Sequence, residues 1–172
     1  MASHNNEISA SEQLQKVRFH LARKKPRDAY DLLKVIIVHY EDDPVLLSYY
    51  GYLKAALDGM YRSGIEDCAR ALSLFQRQML RCAVDGDEKL KAVLYVNLGR
   101  AYGAAGKKKD AYNALSKGLV ADMQNDDVLA ELRKMGIRKK KPVSFLDRSN
   151  PVNNFFGKML RKPGTSLTAF LM

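Results

Sequence analysis

Tryptophan is absent from this chain of 172 residues, histidine appears three times, cysteine twice and proline five times. Each scarcity excludes a class of protein. The two cysteines, Cys68 and Cys82, fall on one predicted helix, where fourteen residues of rise separate them by ~21 Å. A disulfide needs Cα atoms within roughly 7 Å, so the chain is not a disulfide-stapled scaffold. His4, His20 and His39 stand singly, with no second ligand at zinc-binding spacing, and read as surface or hydrogen-bonded helix histidines. No glycine-rich phosphate loop and no nucleophile with an adjacent base appears, and carboxylates such as Glu66 and Asp67 read as a solvated helix face. The expectation is a chain that is not an enzyme and takes no cofactor or metal. It also lacks any apolar run long enough to span a bilayer. The opening Met-Ala-Ser-His-Asn-Asn-Glu holds no signal-peptide core, and Ala2 stands where myristoylation needs glycine. The expected address is the reducing cytoplasm.

Acidic residues are missing from one end. Residues 1–132 hold 19 Lys and Arg against 18 Asp and Glu, whereas residues 133–172 hold 10 against Asp147 alone, so nearly all of the net +10 belongs to the tail. Ordinary globular composition, 47% hydrophobic and 28% charged, predicts that the body folds.

Apolar and small residues recur at helical spacing throughout, and no stretch alternates long enough to predict a strand. Turn and capping residues at Lys24-Lys25-Pro26, Glu41-Asp42-Asp43-Pro44, Asp58-Gly59, Asp85-Gly86-Asp87, Gly106-Lys107 and Asn125-Asp126-Asp127 cut the chain into short helical pairs. The clearest pair, Ala92 to Asn125, places Tyr95 at position 4, Leu98-Gly99 at 7 and 8, Tyr102 at 11, Gly106 in the turn, Ala111 at 20 and Leu115 at 24. Small residues at 8 and 20 let two helices approach closely, while bulky ones at 4, 7, 11 and 24 fill the space between neighbouring pairs. Pro44, Leu47, Tyr50-Gly51, Gly64, Cys68, Ala71 and Leu72 repeat the pattern with one extra turn residue. Leu14 to Tyr40 fits more loosely: Ala29, Leu33 and Ile36 match the second helix and Val17 replaces the close-packing glycine.

This pattern resembles the tetratricopeptide repeat (TPR), a 34-residue helix-turn-helix. The resemblance covers about residues 10–136 and departs from the family at Gly118, where Ala is usual, and at Met123, where Pro is usual. It implies an all-α fold, a short right-handed superhelical solenoid of three helix pairs closed by a capping helix at Val128, Leu129, Leu132 and Met135. The position-8 residues Val17, Gly51 and Gly99 are 34 and then 48 apart. That surplus predicts a long helical hairpin near residues 78–91, with Asp85 and Glu88 spaced as a capping box.

The resemblance also implies a function. TPR arrays hold another protein, as a peptide or helix, in a concave groove lined by the first helix of each pair. On this chain that geometry selects Arg18, Ser48, Tyr49, Tyr52, Val96, Asn97 and Arg100. Arginine offers a fork for carboxylates, asparagine serves a peptide backbone, and tyrosine gives rigid contact area with a polar tip. The family's carboxylate clamp has Lys and Asn where this chain has Leu14 and Arg18, although Asn97 matches another of its positions. A more specific variant is a secretion-type chaperone, whose small three-unit relatives are generally acidic, unlike this tail.

Residues 137–172 form the basic tail. Arg138, Lys139, Lys140 and Lys141 precede a predicted amphipathic helix over 151–162, entered at Asn150-Pro151. Val152, Phe155, Phe156, Met159 and Leu160 form its apolar face, with Lys158, Arg161 and Lys162 elsewhere on its surface. Three destinations stay open for that face: the end of the repeat stack, an anionic lipid or nucleic-acid surface, or a partner protein.

Overall fold

The computed structural model describes residues 2–82 and 87–136, with residues 2–9 and 82 described by backbone alone. Among the described residues the chain is all-helical: α1 (Ala2–Ala22), α2 (Pro26–Ile36) with a 3₁₀ turn at Ile37–His39, α3 (Pro44–Asp58), α4 (Tyr61–Cys82), α5 (Glu88–Ala104), α6 (Lys108–Ala121) and α7 (Asp126–Lys134). The predicted tail, including its 151–162 helix, lies outside the described residues.

The helix ends follow from local chemistry. Asp43 caps α3 by accepting from the amides of Val45 and Leu46 at 2.9 and 2.8 Å, just ahead of Pro44 in the first turn. Asp87 caps α5 by accepting from Lys89 and Leu90, and Asn125 caps α7 by accepting from Val128. The expected box of Asp85 and Glu88 is therefore replaced at Glu88, which is the first residue of the helix rather than the third, with Asp87 as its cap. By contrast, α2 and α6 begin at Lys25 and Lys107, neither of which makes a side-chain cap. Three turns reverse through the left-handed region: Gly59 at φ 69°, Gly106 at φ 71°, and Lys24 at φ 58°. Two use glycine; the lysine holds this conformation at a cost of about 1–2 kcal/mol.

Consecutive helices pack closely because small residues sit where they meet. A Cβ built on Gly64 meets the Gly51 carbonyl oxygen and comes within 2.9 Å of the Ala55 Cβ; one built on Gly51 comes within 2.6 Å of the Gly64 carbonyl. A Cβ on Gly99 falls 2.7 Å from Leu115 Cγ and 3.5 Å from the Ala111 carbonyl oxygen. The small residues expected at positions 8 and 20 thus meet backbone to backbone in α3/α4, while in α5/α6 the glycine at position 8 leaves room chiefly for the Leu115 side chain.

Contacts follow chain order. α3 packs on α4 and α5, α5 also packs on α4, α6 and α7, and α1 and α2 pack on each other and on α3. Among the described residues α1 and α2 do not reach α5, α6 or α7, and α4 does not reach α6. Val17, Ala29, Leu33, Leu46, Leu47, Leu53 and Leu94 form the main core, each leucine contributing about 1.5–3 kcal/mol by burial. The predicted long hairpin is not a free projection on its α4 side. Met79 packs on the main core, and Gln78 Nε2 donates to the Asp42 carbonyl at 3.0 Å.

Two edges result. Arg27 Nη1 donates to Asp58 Oδ1 at 2.9 Å, which puts the start of α2 beside the end of α3. Ser48 meets Asn97 and Tyr52 meets Arg100, so α3 and α5 run parallel. The turns at Lys24, Gly59 and Gly106 therefore share one edge, and those at Asp42 and Asp122 lie at the opposite helix ends.

Candidate functional site

The seven residues expected to line a groove divide into three groups. Ser48, Tyr49, Val96 and Asn97 are buried, because α3 and α5 lie side by side and these positions fall on the inward faces of the two helices. Ser48 is a junction: its Oγ accepts from Asn97 Nδ2 at 2.9 Å and donates to the Val45 carbonyl at 2.8 Å, while its own carbonyl accepts from Cys68 Sγ at 3.4 Å. These two polar side chains hold α3, α4 and α5 together and offer nothing to a ligand. Asn97 Oδ1 is buried without a partner, which removes about 1–3 kcal/mol of stability from that contact. Burial pushes the Cys68 thiol well above its ordinary range, with the Asp67 charge adding to it, so the thiolate is suppressed.

Arg18 forms the second group. It is exposed on α1, a helix that does not reach α5 or α7 among the described residues. The structure does not bring it to the others.

Tyr52 and Arg100 form the third, and they meet. The guanidinium lies 5.5 Å from the centre of the Tyr52 ring. Its fork is already engaged: Nε donates to Glu131 Oε1 at 2.8 Å and Nη2 to Asp127 Oδ1 at 2.9 Å. Burial opposes the charge on Arg100, but the Glu131 hydrogen bond and the Asp127 charge outweigh it and hold its pKa above the ordinary value. For Glu131, burial favours the neutral acid, yet hydrogen bonds from Arg100 and Lys134 win and lower its pKa. Arg100 is thus a clip between α5 and α7, and the expected role of fork for a ligand carboxylate is replaced by an internal one.

Beside this clip a cleft of about 260 Å³ opens, lined by Tyr52 from α3, Gly99 and Gly103 from α5, Leu115 from α6, and Glu131 and Met135 from the last helix and its end. Gly103 leaves one wall open: a Cβ built there meets nothing within 4 Å. The volume is below the ~300–1,000 Å³ of small-molecule sites and suits one or two side chains of a peptide. Tyr52 offers an aromatic face and Met135 an adaptable apolar one. Gly103 and Glu131 were missed in the sequence, and Met135 reads there only as part of the capping helix. No repeat spacing marks them, because the cleft arises from the angle at which α7 meets α5.

The tail residues Arg138, Lys139, Lys140, Lys141, Phe155, Phe156, Lys158 and Arg161 lie outside the described residues. No helix among the described residues is long and apolar enough to cross a membrane. Comparison of the chain with protein-family models, curated proteins and solved structures gives no match.

Proposed function

We propose that this chain is a TPR-type adaptor that holds a peptide or helical segment of another protein, anchoring one or two of its side chains in the cleft formed by Tyr52, Gly103 and Met135. Support comes first from packing in chain order, which is what a solenoid requires, since each repeat there touches only its neighbours. Close approach at Gly51 with Gly64 and at Gly99 with Leu115 accompanies it. The observation that carries the functional reading is the cleft itself. It is open at a glycine inside a helix, where glycine weakens the helix by about 0.5–1 kcal/mol relative to alanine, and it is walled by a tyrosine and a methionine.

The test fills the cleft without touching the core. A peptide selected from a display library on the intact chain is measured against the wild type and Gly103→Leu. The Cβ of residue 103 has open space, the rest of the leucine enters the cleft, and leucine has better helix propensity than glycine, so the fold is retained and the melting temperature holds or rises. Affinity for the selected peptide falls at least tenfold. Undiminished binding by a folded Gly103→Leu variant overturns the cleft as the anchor.

A further inference from the structure

The body's near-neutral charge conceals a separation. Along the edge that carries the turns at Lys24, Gly59 and Gly106 stand Arg23, Lys24, Lys25 and Arg27, then Arg62, then Lys107, Lys108 and Lys109; the opposite turns carry Glu41, Asp42 and Asp43, and Asp122, Asp126 and Asp127. The carboxylates on the basic edge are few and mostly engaged. Asp28 pairs with Lys25, Asp58 with Arg27 and Glu66 with Arg62, and Asp110 follows three lysines in the sequence. Lys24, Lys107 and Lys108 have no ion-pair partner among the described residues. Positive charge at a helix start opposes the helix dipole, yet α6 opens with Lys108 and Lys109 after an N-cap Lys107 that makes no side-chain cap, with Asp110 as the one acid of its first turn. Lys24 occupies a left-handed position that glycine fills in the two equivalent turns. Charge is kept on this edge against local preference at both places.

Apolar side chains project from the same edge. Met60 and Tyr61, at the apex of the α3–α4 turn, are 51% and 47% exposed, and Phe19, one turn before the end of α1, is 52% exposed. Arg23 lies 4.1 Å from the centre of the Phe19 ring, so cation and aromatic face outward together.

We propose that this basic edge is a docking surface for an anionic lipid bilayer, with Lys24, Lys107 and Lys108 facing the headgroups and Met60, Tyr61 and Phe19 entering the interface. Lysine drawn to anionic headgroups beside aromatic and aliphatic tips is the chemistry of interfacial membrane binding. A phosphodiester backbone would use the lysines equally well, but a methionine at the apex has nothing to gain from it. The surface is distinct from the cleft, and the basic tail plays no part in the argument.

The absence of tryptophan from the chain supplies a local reporter. In the full chain, Met60→Trp fluorescence is recorded with vesicles of phosphatidylcholine containing phosphatidylserine, with phosphatidylcholine alone, and with a single-stranded oligonucleotide. The expected result is a blue shift on phosphatidylserine vesicles only. Replacing Lys107 and Lys108 together by alanine lowers vesicle affinity roughly thirtyfold, whereas the same change at Arg77 and Arg81, exposed near the other end of α4, has a much smaller effect. Lys24→Gly also weakens vesicle binding while leaving the melting temperature unchanged or higher, an outcome that a structural lysine would not give. The proposal is overturned by vesicle binding with unchanged Met60→Trp emission, which would place the contact elsewhere. Equal losses from the two double variants, a shift with the oligonucleotide but not with vesicles, or no vesicle binding would each overturn it as well.

Discussion

Replacing Gly64, Gly99 and Gly103 by alanine, one at a time, sets a favourable term against a steric one. Alanine improves helix propensity by about 0.8–1.0 kcal/mol at each position. At Gly103 the new methyl meets nothing within 4 Å, so the gain stands and the variant is more stable by about 0.5–1 kcal/mol. At Gly99 the obstacle is the Leu115 side chain, at 2.7 Å from Cγ and 2.8 Å from Cδ2. Leu115 is itself buried and has little room to turn away, so overpacking of ~1–3 kcal/mol exceeds the propensity gain. At Gly64 the obstacle is backbone: the Gly51 carbonyl oxygen, with the Ala55 amide nitrogen at 3.0 Å and its Cβ at 2.9 Å. No rotamer relieves that contact, so α3 and α4 must move apart; overpacking at the upper end of that range, ~3 kcal/mol, leaves a net loss of about 2 kcal/mol. Urea denaturation followed by circular dichroism, with equal slopes across the series, gives the ranking Gly103→Ala above wild type, then Gly99→Ala, then Gly64→Ala. A Gly64→Ala variant as stable as wild type would refute the argument that glycine sets the approach of these helices.

Arg100→Met removes the clip on α7 and destabilises the chain by about 2 kcal/mol, since a hydrogen bond to a charged group contributes roughly 1.5–3 kcal/mol; hydrogen exchange should show α7 opening before α5. Glu131 has a lowered pKa in the folded chain, so its contribution is fully present above the unfolded carboxylate value of about 4.3 and is lost as pH falls through the folded value. Acid titration of stability should therefore be shallower in Glu131→Gln than in wild type below that pH. Ser48→Ala leaves the Asn97 amide unpaired in the seam and costs about 1–3 kcal/mol, and denaturation of Ser48→Ala, Asn97→Ala and the double variant should show strong coupling. In a Cys82→Ser background, Cys68 should react with a thiol reagent only at the rate of unfolding; rapid labelling of the native chain would contradict its burial.

The helix boundaries were legible because they are written locally. Aspartate and asparagine caps, Pro26 and Pro44 in first turns, and glycines at left-handed positions each act within a few residues, and the observed helices begin and end at the predicted breaks. The close-packing positions were legible for a related reason, since Gly51, Gly64 and Gly99 stand at fixed spacing from bulky neighbours. The groove was read less well. Counting positions along a helix identifies a face, but Ser48 and Asn97 lose that face to each other when α3 and α5 pack side by side. Arg100 likewise reads as an open guanidinium until α7, 27 to 31 residues later, brings Asp127 and Glu131 to it. The cleft and the basic edge both depend on how separate helices are juxtaposed. A count of charge along the body, nearly balanced, cannot reveal that eight of its cations gather along the edge that carries the turns at Lys24, Gly59 and Gly106.

The proposed adaptor role places the grip on a partner segment at the cleft between α5 and α7. Backbone amide shift mapping of the isotopically labelled full chain, titrated with a peptide selected by display, tests it directly. The largest shifts should cluster at Tyr52, Gly103, Glu131 and Met135, with little change at the buried Ser48 and Asn97. Shifts concentrated on α1 and α2 instead, with the cleft residues unmoved at saturation, would contradict it.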